Sequence, residues 1–213
     1  MRLRISILLS VILLAVLVIP ASAVESRGAL SSAGSLVQET SLGDLVADSV
    51  RDAYGAQAAL IPGGGLREVS IPSGKIESTD VLQVLQYRDD PIVVVEVTGS
   101  QIVKALERSV SISPQKNLGF LQVSGISFGF ATGAQASSRV SSVVVDGEQV
   151  SGDTRYRVAM PTALANGDYG YFTVWGGALK PMTNGQTIAQ AVTKFLSGRS
   201  TIDYRSQNRI VKL

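Results

Sequence analysis

Apolar residues recur at helical spacing between Ser41 and Gly55. Leu42, Leu45, Val46, Val50 and Ala53 fall three and four apart, with Asp44, Asp48, Arg51 and Asp52 elsewhere. That period predicts an amphipathic helix, capped by Ser41 and stopped by Gly55. A short apolar run, Ala58 to Ile61, predicts a buried strand that Pro62-Gly63-Gly64-Gly65 breaks. Pro72 and Gly74 mark a turn-rich connection from Ser70 to Gly74, and Ser78 or Thr79 is expected to cap a helix over Asp80 to Leu85. Ile92 to Val97 is β-branched almost throughout and predicts the strongest strand. A third helix follows Gly99-Ser100, with Ile102, Val103, Leu106 and Val110 on one face.

The second half changes character. Phe120 to Val123, Ile126 to Phe130, Val140 to Val145 and Tyr156 to Met160 read as strands, and Asp146-Gly147 is a hairpin signal. Asn117-Leu118-Gly119 marks a turn and Gly133 to Ser138 a loop tip. A late amphipathic helix spans Thr187 to Leu196 and ends at Gly198. Helices and strands without strict βαβ alternation predict a single α+β domain with a mixed sheet and packed helices.

The first 23 residues stand apart. Arg2 and Arg4 precede an aliphatic stretch from Ile5 to Ile19, and Pro20-Ala21-Ser22-Ala23 closes it with small residues. This is the pattern of a cleaved export signal, the alternative being an uncleaved anchor helix, with residues 24–35 read as a linker and 36–213 as the domain. The apolar run, about 15 residues, is short of the roughly 20 that span a bilayer. The expected location is therefore periplasmic or extracellular, with no membrane span after cleavage. Two of the 19 basic residues lie in the leader and none of the 17 acids does, so the remainder is charge-balanced. No basic run survives there to suggest a nucleic-acid partner.

Composition narrows the chemistry. With no His and no Cys, serine or cysteine triads, imidazole-ligated metals, disulfides and iron–sulfur clusters are excluded. Four segments carry the polar and aromatic groups that remain. Gly63-Gly64-Gly65-Leu66-Arg67 follows a buried strand; it reads either as a tight turn or as backbone open to a ligand, with Arg67 as an anion fork. Gln86-Tyr87-Arg88-Asp89-Asp90 offers a ring for stacking and two acids that read as an exposed turn or as ligands for a hard cation. Gln122 and Ser124, lone polar residues in an apolar strand, read as satisfied sheet-edge groups. Asn166-Gly167-Asp168-Tyr169-Gly170-Tyr171-Phe172 reads as a packed loop or as recognition of a flat heterocycle.

Taken in order, these segments resemble the C-terminal domain of the 5′-nucleotidase family. The resemblance rests on Ser41 to Asp48, Gly63-Gly64-Gly65-Leu66-Arg67, Asp80 to Tyr87, Val97 to Ser100, Phe120 to Gly125 and Leu164 to Tyr171, and spans roughly Leu36 to Trp175. It implies a domain that grips a nucleobase between two aromatic rings and directs Arg toward phosphate. It also implies a separate metallophosphoesterase half, whose two-metal site uses Asp, His and Asn. No cofactor is expected in this chain, divalent metals entering only with a catalytic partner. Arg67 stands at a family arginine and Tyr87 at one stacking ring. Gly64, Gly65, Asn166, Asp168 and Tyr169 complete the implied ligand-binding set, and no catalytic or metal residue is expected.

The departures are specific. Gln86 replaces a proline, Ala163 replaces the second stacking ring and Pro62 replaces an asparagine. Tyr169 stands where the ribose-binding acid belongs, with Asp168 one position earlier. An arginine expected before the first helix is missing, since no Lys or Arg lies between Arg27 and Arg51. Three readings follow: a nucleotide- or nucleoside-binding module, a hydrolase acting with a separate metallophosphoesterase chain, and an interaction domain with a degraded pocket.

Overall fold

A computed structural model describes residues 23–176 and 179–213. The leader read at Met1–Ala23 falls outside them, apart from Ala23. Among the described residues no helix is long and apolar enough to cross a membrane.

The centre is a mixed four-stranded sheet in the order Ile92–Thr98, Arg155–Pro161, Ala58–Pro62, Leu121–Ser124. Arg155–Pro161 runs parallel to Ala58–Pro62, and the two outer pairings are antiparallel. Both faces of this sheet are covered, which explains the unbroken aliphatic runs that encode it. Side chains alternate between faces. Ala59, Ile61, Ile92 and Val94 join one core cluster with Leu45 and Val46 of the Ser41–Tyr54 helix and Val192 and Leu196 of the Ile188–Ser197 helix. Ala58, Leu60, Val93 and Val95 join a second, with Ile102 and Leu106 of the Gly99–Val110 helix and Phe128 and Phe130 of another sheet. That sheet has the order Glu148–Gln149, Val140–Val145, Ile126–Phe130, Ile210–Lys212. Its first turn uses positive φ at both Asp146 and Gly147, as the hairpin signal requires.

The architecture is the expected α+β domain with a mixed sheet, and several local readings change. Residues 24–35 are not a plain linker. Val24–Ser26 lies between Thr201–Ile202 and Gly74–Ile76, and Leu30–Ser31 pairs with Ser70–Ile71. Val24 and Leu30 are buried core residues. Strands this short carry too few residues to show a period. Thr40, not Ser41, caps the first long helix, accepting from the Gly43 amide at 3.2 Å. The Ser41 hydroxyl instead accepts from the Ser31 amide at 2.8 Å. The next helix spans Ser78–Leu82 and is capped by Glu77, with Asp80 returning to the Glu77 amide at 2.8 Å. Gln122 and Ser124 are satisfied edge-strand groups as read. The Gln122 amide is fully buried, accepts from the Thr40 amide at 2.9 Å and donates to the carbonyls of Ser35 at 3.1 Å and Gln38 at 2.8 Å.

Candidate functional site

Topology gathers the candidate segments at one edge of the central sheet. Ala58–Pro62 and Arg155–Pro161 are parallel, so the chain leaves both at the same edge. The antiparallel strand Ile92–Thr98 begins there, with Ile92 opposite Pro161. The glycine turn, the 86–90 loop and the 162–170 segment therefore converge beyond the carboxyl ends of the parallel strands, where open α/β sheets commonly place ligands.

Backbone hydrogen bonds fix these loops against each other. The Gly63 and Gly64 amides donate to the carbonyls of Phe120 at 2.6 Å and Leu118 at 2.8 Å. The Gln86 amide donates to the Gly65 carbonyl at 2.9 Å, and the Arg67 amide to the Val84 carbonyl at 2.7 Å. The amides of Gly63 and Gly64 are thus committed within the fold and do not cradle an anion. Glycine is needed at 64 for another reason. A Cβ there would lie 2.9 Å from both the Leu118 carbonyl oxygen and Cε1 of Tyr169. The 86–90 loop is tied in turn to the late helix, whose Ile188 amide donates to the Asp90 carbonyl at 3.2 Å.

The result is a cleft of about 860 Å³ lined by Gln86, Tyr87, Arg88, Asp89, Asp90, Ala163, Asp168 and Tyr169. Tyr87 is 55% exposed and Tyr169 half-buried. Neither hydroxyl is engaged in a hydrogen bond among the described residues. An apolar recess bordered by Leu66, Leu85, Pro161 and Ile188 also touches both rings. Burial pushes the Tyr169 hydroxyl above its ordinary range, and the nearby Tyr87, Asp168 and Asp90 push in the same direction. Burial likewise raises the Asp90 carboxyl, opposed by the Ala163 amide and reinforced by Asp168.

Of the expected ligand-binding set, Tyr87, Asp168 and Tyr169 meet in this cleft. Gly64 lies beneath the Tyr169 ring, and Gly65 borders the apolar recess. Arg67 stands at the margin, exposed, with its Nε donating to Gln86 Oε1 at 2.7 Å. Asn166 does not reach the cleft. It is the exposed C-cap of the short Thr162–Ala165 helix. Tyr171 turns the other way: it is fully buried, donates to the Gly119 carbonyl at 2.7 Å and stacks on Trp175. Asp90, read with Asp89 as an exposed turn or as a ligand for a hard cation, lines this cleft.

A sequence profile of the 5′-nucleotidase C-terminal domain matches residues 18–176. The chain belongs to the 5′-nucleotidase C-terminal-domain family. It is 31% identical over 166 residues to a 5′-nucleotidase of Vibrio vulnificus (strain CMCP6), covering 78% of this chain and 28% of that protein. It is 34% identical over 143 residues to the trifunctional nucleotide phosphoesterase protein YfkN of Bacillus subtilis (strain 168), covering 63% of this chain and 10% of that one. Among solved structures, a 5′-nucleotidase precursor from Thermus thermophilus superposes with a TM-score of 0.79 at 29% identity, over 89% of this chain and 39% of that one. The chain thus spans less than a third of the length of these two curated relatives.

The donor set does not fit the two-metal centre that the 5′-nucleotidase resemblance attaches to the catalytic half. The centre that the resemblance implies uses His beside Asp and Asn, and this sequence has no His. Among the described residues no group of three or more His, Cys, Asp or Glu is arranged to hold a metal ion.

Proposed function

We propose that this chain is the base-binding half of an exported 5′-nucleotidase-type system. It holds a nucleoside or nucleotide by its base between Tyr87 and Tyr169, and a separate metallophosphoesterase chain or domain supplies the hydrolysis. The observation that carries this reading is the convergence of the two tyrosines on one cleft beyond the carboxyl ends of the parallel strands. Rings with an apolar body and a polar tip suit a flat heterocycle. Ala163, where the resemblance puts a second family ring, lines the same cleft as Tyr169, which supports Tyr169 as the second ring here. The leader composition supports export, and the histidine-free sequence supports dependence on a catalytic partner.

Two measurements test this. Calorimetric titration with adenosine, AMP and UDP-glucose is expected to give saturable binding of at least one; absence of heat at millimolar ligand removes the binding role. Phosphate release from AMP with Mn²⁺ or Zn²⁺ is expected to be nil for this chain alone. Release at a rate proportional to its concentration would contradict the division of labour.

A further inference from the structure

The second wall of the cleft stands on an unusual piece of backbone. Tyr169 has φ 57° and ψ 19°, in the left-handed region that bulky L-residues disfavour. Such a conformation persists only where its surroundings over-determine it. Arg108, in the last turn of the Gly99–Val110 helix and outside the cleft lining, reaches this turn with its guanidinium. Its Nη2 donates to the Tyr169 carbonyl at 2.6 Å, and its Nε to the Gly170 carbonyl at 3.4 Å. Its Nη1 reaches Ser111 Oγ at 3.2 Å and Asn117 Oδ1 at 3.5 Å. No carboxylate pairs with Arg108 among the described residues, so the fork is directed at two successive carbonyls. Hydrogen bonds from a charged donor are the strong ones, and the planar fork sets their direction.

The surroundings leave room for this arrangement and little else. A Cβ at Gly170 would lie 2.5 Å from Arg108 Nη2, and one at Gly119 would lie 3.0 Å from the Tyr169 carbonyl oxygen. The guanidinium also sits 5.9 Å from the centroid of the Tyr171 ring, and Tyr171 anchors the end of the same turn. We infer that Arg108 is a positioning residue for the cleft: it holds the Asp168–Gly170 turn so that Tyr169 supplies the second aromatic wall. This rests on the reading of the cleft as a base site; the geometry it invokes can be tested without a ligand.

Two readouts decide it. In the first, backbone chemical shifts and the three-bond amide coupling of Tyr169 are measured in the full chain and in Arg108→Gln and Arg108→Lys. Tyr169 is expected to leave the left-handed region in Arg108→Gln and to remain largely within it in Arg108→Lys, while residues of the central sheet are unmoved. Retention of positive φ in Arg108→Gln overturns the inference, whether or not any nucleoside binds. In the second, adenosine affinity is compared in a cycle with Tyr169→Ala. Arg108→Gln is expected to weaken binding on the order of tenfold alone and by less than about twofold in the Tyr169→Ala background. Equal losses in both backgrounds mean general damage and overturn it. A wild-type protein without adenosine, AMP or UDP-glucose binding defeats the base-site reading, and the Tyr169 conformation then decides the role of Arg108 by itself.

Discussion

Two clefts of similar volume, about 830 and 860 Å³, hold similar residue types in opposite states. The first is lined by Asp48, Arg209, Ser124, Asp52 and Arg199. Most of its charges are spent on one another, Arg51 and Asp146 being the ones without a side-chain partner among the described residues. Asp48 accepts from Arg209 through both oxygens at 2.8 and 2.9 Å, from Ser124 at 2.5 Å and from Tyr204 at 2.9 Å. Arg199 stacks on Phe195 and donates to its carbonyl at 2.6 Å. In the second cleft Gln86 is held by Arg67 and Asp90 by the Ala163 and Thr162 amides, but the side chains of Tyr87, Arg88, Asp89, Asp168 and Tyr169 make no hydrogen bond among the described residues. Polar groups that satisfy each other hold the fold together, whereas groups left facing solvent in a shaped cleft remain available to a ligand. Residue type alone does not separate these cases; partnering does.

The sharpest way to break this contrast is Arg209→Ala. It strips Asp48 of its bidentate partner and removes the link between the C-terminal strand and the first long helix. Removing one member of such a mostly shielded pair costs about 3 kcal/mol, the low end for buried pairs. Urea unfolding should show that loss, while the affinity of any folded fraction for adenosine stays unchanged. Equal loss of binding would merge the two regions into one functional unit.

Next in size is a pH effect centred on the structural region. Asp44 is 2% exposed, and burial pushes its carboxyl up to about 9 from 3.8, Arg209 opposing and Glu39 and Asp48 reinforcing. Asp44 Oδ1 and Glu39 Oε1 are both buried without a hydrogen-bond partner. A proton retained by the folded chain and lost by the unfolded one stabilises most at low pH. That contribution is full below about pH 4 and declines as pH rises toward the folded-state value. The urea midpoint should therefore fall between pH 5 and pH 8, and fall less in Asp44→Asn, which cannot ionise. A variant with the same slope as wild type would place the proton elsewhere.

A smaller effect belongs to the cleft. Tyr87→Ala should weaken adenosine binding roughly tenfold, since stacking on one ring is worth about 1–3 kcal/mol per base. Its thermal midpoint should barely move, because the ring is exposed. The smallest is Asn166→Ala. An exposed helix cap with no side-chain hydrogen bond among the described residues should change adenosine affinity by less than about twofold, a surface substitution being worth within about 0.5 kcal/mol. A larger loss by calorimetry would bring Asn166 back into the site.

The contrast also shows what was legible in the sequence. Long elements with a clear period were readable: the Ser41–Tyr54, Gly99–Val110 and Ile188–Ser197 helices, the Ile92–Thr98 strand and the Asp146-Gly147 hairpin. Turn residues and aromatics single out Tyr87 in one segment and Asp168 and Tyr169 in another, and only the resemblance to the 5′-nucleotidase C-terminal domain joins them into one set. The rest depends on distant partners. Thr40 and Ser41 are both competent caps, and Gln122 and Ser31 decide between them from elsewhere in the chain. Val24–Ser26 becomes a strand only because Gly74–Ile76 and Thr201–Ile202 flank it. Asp90 is drawn into the cleft by the Ala163 and Thr162 amides, and Arg108 reaches Tyr169 in the Asp168–Gly170 turn from a helix position 61 residues earlier in the chain.

Saturation-transfer NMR on the protein with adenosine tests the base site most directly. Saturation of the protein should pass to the protons on the base more strongly than to those on the ribose, and should drop sharply in Tyr87→Ala. No transfer to adenosine, or transfer unchanged by Tyr87→Ala, would contradict a base held between Tyr87 and Tyr169.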